Sequence, residues 1–233
     1  MDNYKLIKLF LILVKDLYSN QKYLNDDFYN NYEVSSRVCR NTLYKSGISI
    51  NVEGLDNIPV EGPLLLAPNH ISFFDIVLLL GVVDRPLPFA AATELTKYSV
   101  LKKYIEALNC VLIDRYTSDF KVVKEQIKNM GDTIKNTGLI VFPEGECSYN
   151  QEVYEFKKGS FLRVKEASIV PTYINMPNIK KLGRWVIPTS NVDVIFGKSF
   201  KVSEVFERSV SADVVAQYTR DKVLELKNKK NHL

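Results

Sequence analysis

The amino-acid sequence predicts an α/β fold with a largely parallel central sheet flanked by helices. Short apolar runs rich in β-branched residues alternate with helical patterns along most of the chain, and such alternation is typical of parallel sheets. The apolar runs are bounded by Gly, Pro, Asn or Asp, the residues that commonly end strands. A chain of 233 residues with 46% hydrophobic content can form one large domain with a substantial core.

The N-terminal segment is predicted to be helical from residue 3 to about 45, with a break near residues 25–27. Its most apolar stretch, Leu9–Val14, is framed by Lys5, Lys8 and Lys15. A membrane-spanning helix needs about 20 apolar residues, and no small-residue cleavage site follows, so neither a spanning helix nor a signal peptide is expected. The segment is either a helix packed on the domain or an interfacial helix among lipid headgroups, with its lysines reaching water.

Strands and helices alternate after this segment. Predicted strands are Ile48–Val52, Leu64–Ala67, Pro88–Ala91, Cys110–Ile113, Leu139–Phe142, Ile169–Ile174 and Val192–Phe196. Predicted helices are Phe74–Val82, Val100–Leu108, Ser118–Thr137, Ser160–Ala167 and Ser211–Leu226. We divide the chain into N-terminal helices (1–45), an α/β domain (46–228) and a basic tail (229–233), and expect a frayed, solvated end from Lys227 to His232.

Charge and cysteine content narrow the class of protein. The net charge of +4 is only mildly basic; we expect no nucleic-acid partner, and the charge suits an anionic membrane surface or a phosphorylated substrate. Three scattered cysteines form no disulfide framework, and there is no C-x-x-C spacing. With only two histidines in the chain, we expect no metal site, and the cysteine pattern fits a reducing cytosol.

Three polar residues follow predicted strands, where a parallel sheet places its ligand sites. His70 follows the strand at Leu64, Arg115 follows the strand at Cys110, and Glu144 follows the strand at Leu139. One cleft at the carboxyl edge of the sheet could therefore collect all three side chains.

His70 and Asp75 are the first candidates for catalysis. On one continuous helix, residues five apart point about 140° away from each other and could not pair. They can pair if His70 lies on the loop, Ser72 caps the helix and Asp75 is its third residue. Asp75 would then bind Nδ1–H and leave Nε2 as a base for a substrate hydroxyl. The competing interpretation is that Ser72-x-x-Asp75 is only a capping box; no G-x-S-x-G elbow is present to supply a serine nucleophile.

The loop Phe142–Gly145 and nearby cations are the next candidates. Pro and Gly suit a turn, but the same loop could present Glu144 to a substrate headgroup. The guanidinium of Arg115 could donate two hydrogen bonds to a phosphate, and Lys157 and Lys158 could add attraction for an anion. For each cation, a solvated surface charge is the alternative.

Taken together, these motifs resemble the 1-acylglycerol-3-phosphate acyltransferase family, the lysophosphatidate acyltransferases among glycerolipid acyltransferases. The matching segments occur in family order over roughly residues 45–200: Asn69–Asp75, Val111–Arg115, Val141–Ser148, Ile169–Thr172, and the F-K-x-G segment Phe156–Gly159.

The resemblance implies an enzyme of phospholipid biosynthesis. His70 would deprotonate an acceptor hydroxyl, Asp75 would orient His70, and the alkoxide would attack a thioester of acyl-CoA or acyl carrier protein. The first acceptor to expect is 1-acyl-sn-glycerol-3-phosphate, giving phosphatidic acid. No metal, bound cofactor or covalent acyl-enzyme is implied. The N-terminal helices would rest on the cytoplasmic face of a lipid membrane, as a peripheral or monotopic element.

The resemblance also implies a set of substrate-binding residues. Glu144, Gly145 and Arg115 would contact the lysophospholipid acceptor, and we group Asn69, Ser72 and Lys157 with them.

One departure from the family pattern concerns the acceptor. The third motif usually continues Gly-Thr-Arg-Ser, whereas this chain has Gly145-Glu146-Cys147-Ser148. The missing arginine removes a charge-assisted contact worth about 1.5–3 kcal/mol. Another lysophospholipid, glycerol 3-phosphate or a lipid alcohol is therefore an alternative acceptor, unless Lys157 or Lys158 replaces the charge. We do not expect Cys147 to be a nucleophile, because Glu146 beside it disfavours a thiolate.

Two other functions stay open on this sequence. One is a non-catalytic lipid-binding protein of the same fold, and the other is a membrane-anchored hydrolase that uses water.

Overall fold

A five-stranded sheet forms the centre of the computed structural model, which describes residues 2–182, 185–188, 190–206 and 209–231. The strands are β1 (Ile50–Glu53), β2 (Leu64–Pro68), β3 (Ala90–Ala92), β4 (Val111–Ile113), β5 (Leu139–Ile140), β6 (Ser168–Asn175), β7 (Ile179–Leu182), β8 (Trp185–Pro188) and β9 (Val192–Phe196). The central order is β1-β9-β6-β2-β5, and only the β6–β9 pair within it is antiparallel. The predicted largely parallel sheet is confirmed.

Helices cover both faces of this sheet. They are α1 (Asp2–Asn20), α2 (Phe28–Ser46), α3 (Phe74–Val82), α4 (Ser99–Ala107), α5 (Phe120–Asn136), α6 (Val202–Val205) and α7 (Ala212–Asn231). Alternate residues of β2 point to opposite faces. Leu64 and Leu66 join a buried cluster with α1, α2 and α3, whereas Leu65 and Ala67 join a second cluster with α5 and α7. The fully buried β2 therefore lies at the middle of both cores.

Parallel pairing brings several strand exits to one edge of the sheet. β2 runs parallel to both β5 and β6. The parallel β3–β4 pair continues the sheet beyond β5, through a parallel bridge between Phe89 and Ile140. The loops after β2, β4 and β5 thus leave from the same edge, as the sequence predicted.

The predicted break in the N-terminal segment is confirmed. Asp27 caps α2 by accepting the backbone N–H of Tyr29 at 2.8 Å, and Gly47 ends that helix in the left-handed conformation with φ of 69°. Leu9 and Leu13 on α1 are buried against the domain. The opposite face of α1 exposes Leu11 and other apolar side chains, so the helix has an inner and an outer apolar surface.

Within the described residues, no helix is both long enough and apolar enough to cross a membrane.

Two predictions of secondary structure are wrong. Residues 160–167 do not form a helix: the chain makes a short 3-10 turn at Lys158–Phe161 and further turns before β6. Phe161, Val164 and Ala167 are buried, and this three-residue spacing suits successive turns as well as a helix. The prediction of a frayed end is also wrong for residues 227–231. The helix α7 continues to Asn231, and Lys230 binds Asp193 at 2.8 Å. His232 lies outside the described residues.

Three of the labelled elements, β7, β8 and α6, were not predicted. The antiparallel β7–β8 pair is a hairpin beyond the central sheet. Its sequence signal is a pair of short runs on either side of Gly183-Arg184, a spacing typical of hairpins. The one-turn helix α6 is the third.

Candidate active site

The loop after β2 is anchored to β6. The amide of Asn69 donates to the Ile174 carbonyl at 3.1 Å and its Oδ1 accepts the Ile174 N–H at 2.7 Å. Asn69 is fully buried. Its side chain therefore ties the end of β2 to β6 and fixes the position of the next residue, His70.

The His70–Asp75 pair predicted from the sequence is present. Nδ1 of His70 lies 2.7 Å from Oδ2 of Asp75, and the same oxygen accepts the backbone N–H of Ile71 at 2.7 Å and of Ser72 at 2.9 Å. Asp75 is fully buried, so this carboxylate depends on these donors and on the first turn of α3 for stabilisation. With Nδ1 donating to Asp75, Nε2 is the nitrogen left for chemistry.

The start of α3 differs slightly from the prediction. The helix begins at Phe74 with Phe73 as its cap residue, so Asp75 is the second helical residue rather than the third. The hydroxyl of Ser72 still accepts the first helical N–H, that of Phe74, at 3.0 Å. Ser72 is fully buried, and its bonds shape the loop that carries His70.

Glu144 on the loop after β5 reaches the same place. Its Oε1 accepts the backbone N–H of His70 at 3.0 Å, and its side chain is buried. Burial raises the pKa of the Glu144 carboxyl to about 7, although the His70 N–H and imidazole favour the charged form. Through this bond Glu144, on the loop after β5, holds the backbone of His70 in place.

Cys147, which the sequence analysis did not expect to be a nucleophile, lies beside His70. Its Sγ lies 3.2 Å from Nε2 of His70. Two backbone bonds hold its loop against the His70 loop: the N–H of Ser148 donates to the His70 carbonyl at 2.8 Å, and the N–H of Tyr149 donates to the Ile71 carbonyl at 3.0 Å. The available signal was its place on the same strand-exit loop as Glu144.

The protonated form of His70 is strongly favoured. Burial by itself lowers the pKa of the imidazole, but the hydrogen bonds to Asp75 and Cys147 outweigh burial and raise this pKa to about 10. The ring also stacks on Phe142, with centroids 4.0 Å apart. Both ring nitrogens and one face of the His70 ring therefore have contacts within the protein.

Arg115, Gly145 and Lys157 lie beside this pair. Nη1 of Arg115 donates to the Gly145 carbonyl at 3.2 Å, and its Nη2 lies 3.3 Å from a carboxylate oxygen of Glu94. Gly145 has φ of 73°, and a Cβ there would lie 2.9 Å from Nζ of Lys157. Lys157 is exposed, whereas Lys158 turns to Asp213 at 3.7 Å. Two cations therefore flank the Gly145 turn.

An apolar cavity of about 250 Å³ opens onto His70. His70, Cys147, Phe142 and Arg115 form one end of its lining. The rest comes from apolar side chains of several elements, including Leu13 and Leu17 of α1, Val77 and Leu80 of α3, and Ile105 of α4. The apolar lining suits part of an aliphatic chain, and His70 lies at one end of it.

Comparisons with known proteins point to one family. A family model described as Acyltransferase matches residues 49–178. A Mycoplasma pneumoniae protein named "Probable 1-acyl-sn-glycerol-3-phosphate acyltransferase" is 30% identical over 135 residues, which are 55% of this chain and 49% of that protein. The Arabidopsis thaliana protein "1-acyl-sn-glycerol-3-phosphate acyltransferase LPAT1, chloroplastic" is 26% identical over 182 residues, which are 76% of this chain and 48% of that protein. The matches span about half the length of these two relatives.

A solved structure shares the fold. The crystal structure of the 1-acyl-sn-glycerophosphate acyltransferase PlsC from Thermotoga maritima aligns with a TM-score of 0.72 and 23% identity, over 97% of this chain and 98% of that one. The predicted α/β architecture is confirmed by this likeness.

Proposed function

This chain belongs to the acyltransferase family, and on that premise we propose that it is an O-acyltransferase of phospholipid biosynthesis. It moves a fatty acyl group from an acyl thioester to the hydroxyl of a lysophospholipid. The observation that carries the proposal is the His70–Asp75 pair, 2.7 Å apart, at one end of an apolar cavity. A base with its orienting carboxylate suits a hydroxyl nucleophile, and the cavity suits an acyl chain.

His70 acts as the general base in the form that carries no proton on Nε2. Asp75 holds Nδ1–H, so Nε2 receives the proton of the acceptor hydroxyl as that oxygen attacks the thioester carbonyl. Asn69 and Ser72 are positioning residues in this scheme, because both are fully buried and their hydrogen bonds go to the backbone. Glu144 holds the His70 backbone in the same way.

The acceptor is 1-acyl-sn-glycerol-3-phosphate, and the product is phosphatidic acid. This choice rests on the names of the Mycoplasma and Arabidopsis relatives and on the cations beside the site. Arg115 and the exposed Lys157 flank Gly145 and supply positive charge for a phosphate. Lys157 takes the place of the arginine that Cys147 replaces in the family motif. Another lysophospholipid is the alternative acceptor, as the mouse relative "Lysophospholipid acyltransferase LPCAT4" suggests at 29% identity over 140 residues, which are 59% of this chain and 26% of that protein.

The donor is acyl-CoA or acyl carrier protein, and the reaction needs no bound cofactor. The protein binds the cytoplasmic face of a membrane through α1. Ile7, Leu11 and Val14 are exposed on the outer face of this helix at 46%, 58% and 40%, and the exposed Lys8 and Lys15 can reach anionic headgroups.

A product scan tests the function. Purified protein is given palmitoyl-CoA or palmitoyl-acyl carrier protein with 1-acyl-sn-glycerol-3-phosphate, other lysophospholipids or glycerol 3-phosphate, and esters are identified by mass spectrometry. We expect phosphatidic acid from wild type, and a loss of at least about 10²-fold in His70→Ala. A folded wild-type protein that esterifies no acceptor would instead indicate the non-catalytic lipid-binding alternative.

A further inference from the structure

The side chains of Cys147 and Asp75 contact the two ring nitrogens of His70. Sγ is 3.2 Å from Nε2, and Nδ1 is 2.7 Å from Oδ2. A nucleophile, a base and a group that orients the base make up the constellation of covalent acyl-transfer sites. Here the thiol occupies the one imidazole nitrogen that must later receive the proton of the acceptor hydroxyl.

Backbone contacts build this arrangement. The residue after Cys147 donates to the His70 carbonyl at 2.8 Å, and the following one donates to the Ile71 carbonyl at 3.0 Å. Glu144, on the same loop, accepts the His70 N–H at 3.0 Å. The thiol therefore reaches Nε2 because two loops are bonded together on both sides of it, and not only through its own rotamer.

The thiol also faces the place where a donor would bind. Cys147 and His70 line the same end of the apolar cavity. An acyl chain that fills this cavity leaves its thioester carbonyl next to both side chains.

The surroundings of Cys147 differ from those of the other two cysteines. Nε2 of His70 lies 3.2 Å from its sulfur and can share the proton of the thiol. Glu146 is exposed, so water screens its carboxylate. Cys39 and Cys110 contrast with this site, because burial raises the pKa of each thiol to about 12.

We propose that Cys147 is a covalent acyl carrier, which takes the acyl group from the donor and passes it to the acceptor. The proposal rests on the acyltransferase function proposed above and adds an intermediate to it.

Each step balances in atoms and protons. In the first step the Cys147 sulfur attacks the donor carbonyl, the carbon–sulfur bond to the donor breaks, and the proton held between Sγ and Nε2 passes to the departing donor thiolate. In the second step neutral His70 takes the proton of the acceptor hydroxyl while its oxygen attacks the Cys147 thioester. The carbon–sulfur bond to Cys147 breaks, the ester leaves, and the proton taken from the hydroxyl again lies between Nε2 and Sγ.

The order of steps explains how one nitrogen serves two partners. The free sulfur of Cys147 occupies Nε2 and keeps the acceptor hydroxyl away from it. Once Cys147 is acylated, its sulfur has no proton to donate and no charge, and Nε2 is open to the hydroxyl.

The test looks for the intermediate in the absence of acceptor. Full-length protein is mixed with palmitoyl-CoA or palmitoyl-acyl carrier protein, quenched in acid and digested, and the peptides are weighed. We expect a palmitoyl group on the Cys147 peptide in wild type and in the matched control Cys110→Ala. We expect none in Cys147→Ala, and acylation slower by at least about 10²-fold in His70→Ala.

A chase decides whether the intermediate is on the path. Added 1-acyl-sn-glycerol-3-phosphate should discharge the Cys147 thioester at least as fast as steady-state turnover, and labelled CoA should exchange into palmitoyl-CoA without acceptor. An adduct that fails to discharge, or full ester formation by Cys147→Ala, overturns the proposal. Cys147→Ser and a circular dichroism spectrum check that a lost activity is not a lost fold.

The outcomes distinguish a failure of the covalent carrier from a failure of the proposed acyltransferase function. His70-dependent ester formation without any Cys147 adduct, with both donors, overturns the covalent carrier and leaves the acyltransferase function intact. No ester from any acceptor overturns both.

Discussion

The backbone N–H of His70 donates to Oε1 of Glu144 at 3.0 Å, which joins two residues 74 positions apart in the chain. Through this bond the loop after β2 and the loop after β5 become one structural unit. His70 then uses its side chain for Asp75 and Cys147, so every polar group of this residue is engaged in holding the site.

The buried Glu144 predicts a pH dependence of stability. Its pKa is about 7 in the folded protein, whereas an unfolded glutamate releases its proton near pH ~4.3. Between these two pH values the folded state binds one more proton than the unfolded state. The free energy of unfolding therefore falls as the pH rises through this window and changes no further above it. The limit is about 1.4 kcal/mol per pH unit. Urea unfolding from pH 5 to 8 should show this slope in wild type and a flatter one in Glu144→Gln. Parallel curves of the free energy of unfolding against pH for these two proteins would contradict the prediction. The control is Glu125→Gln, which changes an exposed side chain.

His70 should titrate far from an ordinary histidine. The chain has only two histidines, so carbon-labelled imidazole signals can be assigned by NMR with His70→Ala. We expect the wild-type ring to titrate near pH 10, and the pKa to fall by about 1–3 units in Asp75→Asn, which loses the opposite charge. Cys147→Ala should lower it in the same direction. A wild-type titration near pH ~6.5 would rule out the charged network.

Asp75→Asn should cost activity without unfolding the protein. Asparagine can still accept the backbone N–H groups of Ile71 and Ser72 through its oxygen, but it no longer favours the tautomer that leaves Nε2 free. We expect kcat/KM to fall by about 10²–10⁴-fold, as for loss of a general base. Asp84→Asn, at an 85% exposed side chain, is the matched control. Equal activity in both variants would remove Asp75 from the mechanism.

Gly145→Ala should weaken acceptor binding. Alanine at φ of 73° is strained, at a cost of about 1–3 kcal/mol, and the new methyl group displaces Lys157 from its place beside Arg115. We expect a raised KM for the acceptor together with lower thermal stability. Gly62 has φ of 83° and no neighbour within 4 Å of its Cβ position. Gly62→Ala should therefore lose stability while its KM stays at the wild-type value.

The outer face of α1 should carry membrane binding. Deleting residues 1–20 is a poor test, since Leu9 and Leu13 are buried in the core. Leu11→Ser combined with Val14→Ser changes only exposed side chains. Because burying one such side chain is worth about 1.5–3 kcal/mol, we expect binding to anionic vesicles to weaken at least about tenfold in sedimentation assays. Val60→Ser, at a 91% exposed loop position, should bind like wild type. Equal binding by all three proteins would make α1 a purely packing helix.

The sequence predicted those parts of the site that depend on local geometry. His70 and Asp75 are close in the chain, so a loop followed by a helix start suffices to pair them. Burial is a property of the whole fold, and it explains the differences. Asn69 and Ser72 were grouped with substrate-binding residues, but both are buried and bond to the backbone.

Cys147 was discounted because of Glu146, its neighbour in sequence. In the structure Glu146 is exposed, and the sulfur of Cys147 contacts an imidazole 77 positions away, which the local sequence does not reveal. Secondary structure shows the same limit, since the buried positions of residues 161–167 fit a helix and a series of turns equally well.

The anchoring of Asn69 to Ile174, across 105 positions of the chain, bears on how the protein is made. A ribosome releases residues in order, and contacts between distant segments must wait for the later partner. A nascent chain that has emerged through Cys147 already contains the histidine, the aspartate and the thiol, yet it lacks the strand that fixes their loop. Catalytic competence therefore arrives late in synthesis, and truncated products that end before β6 should lack acyl-transfer activity.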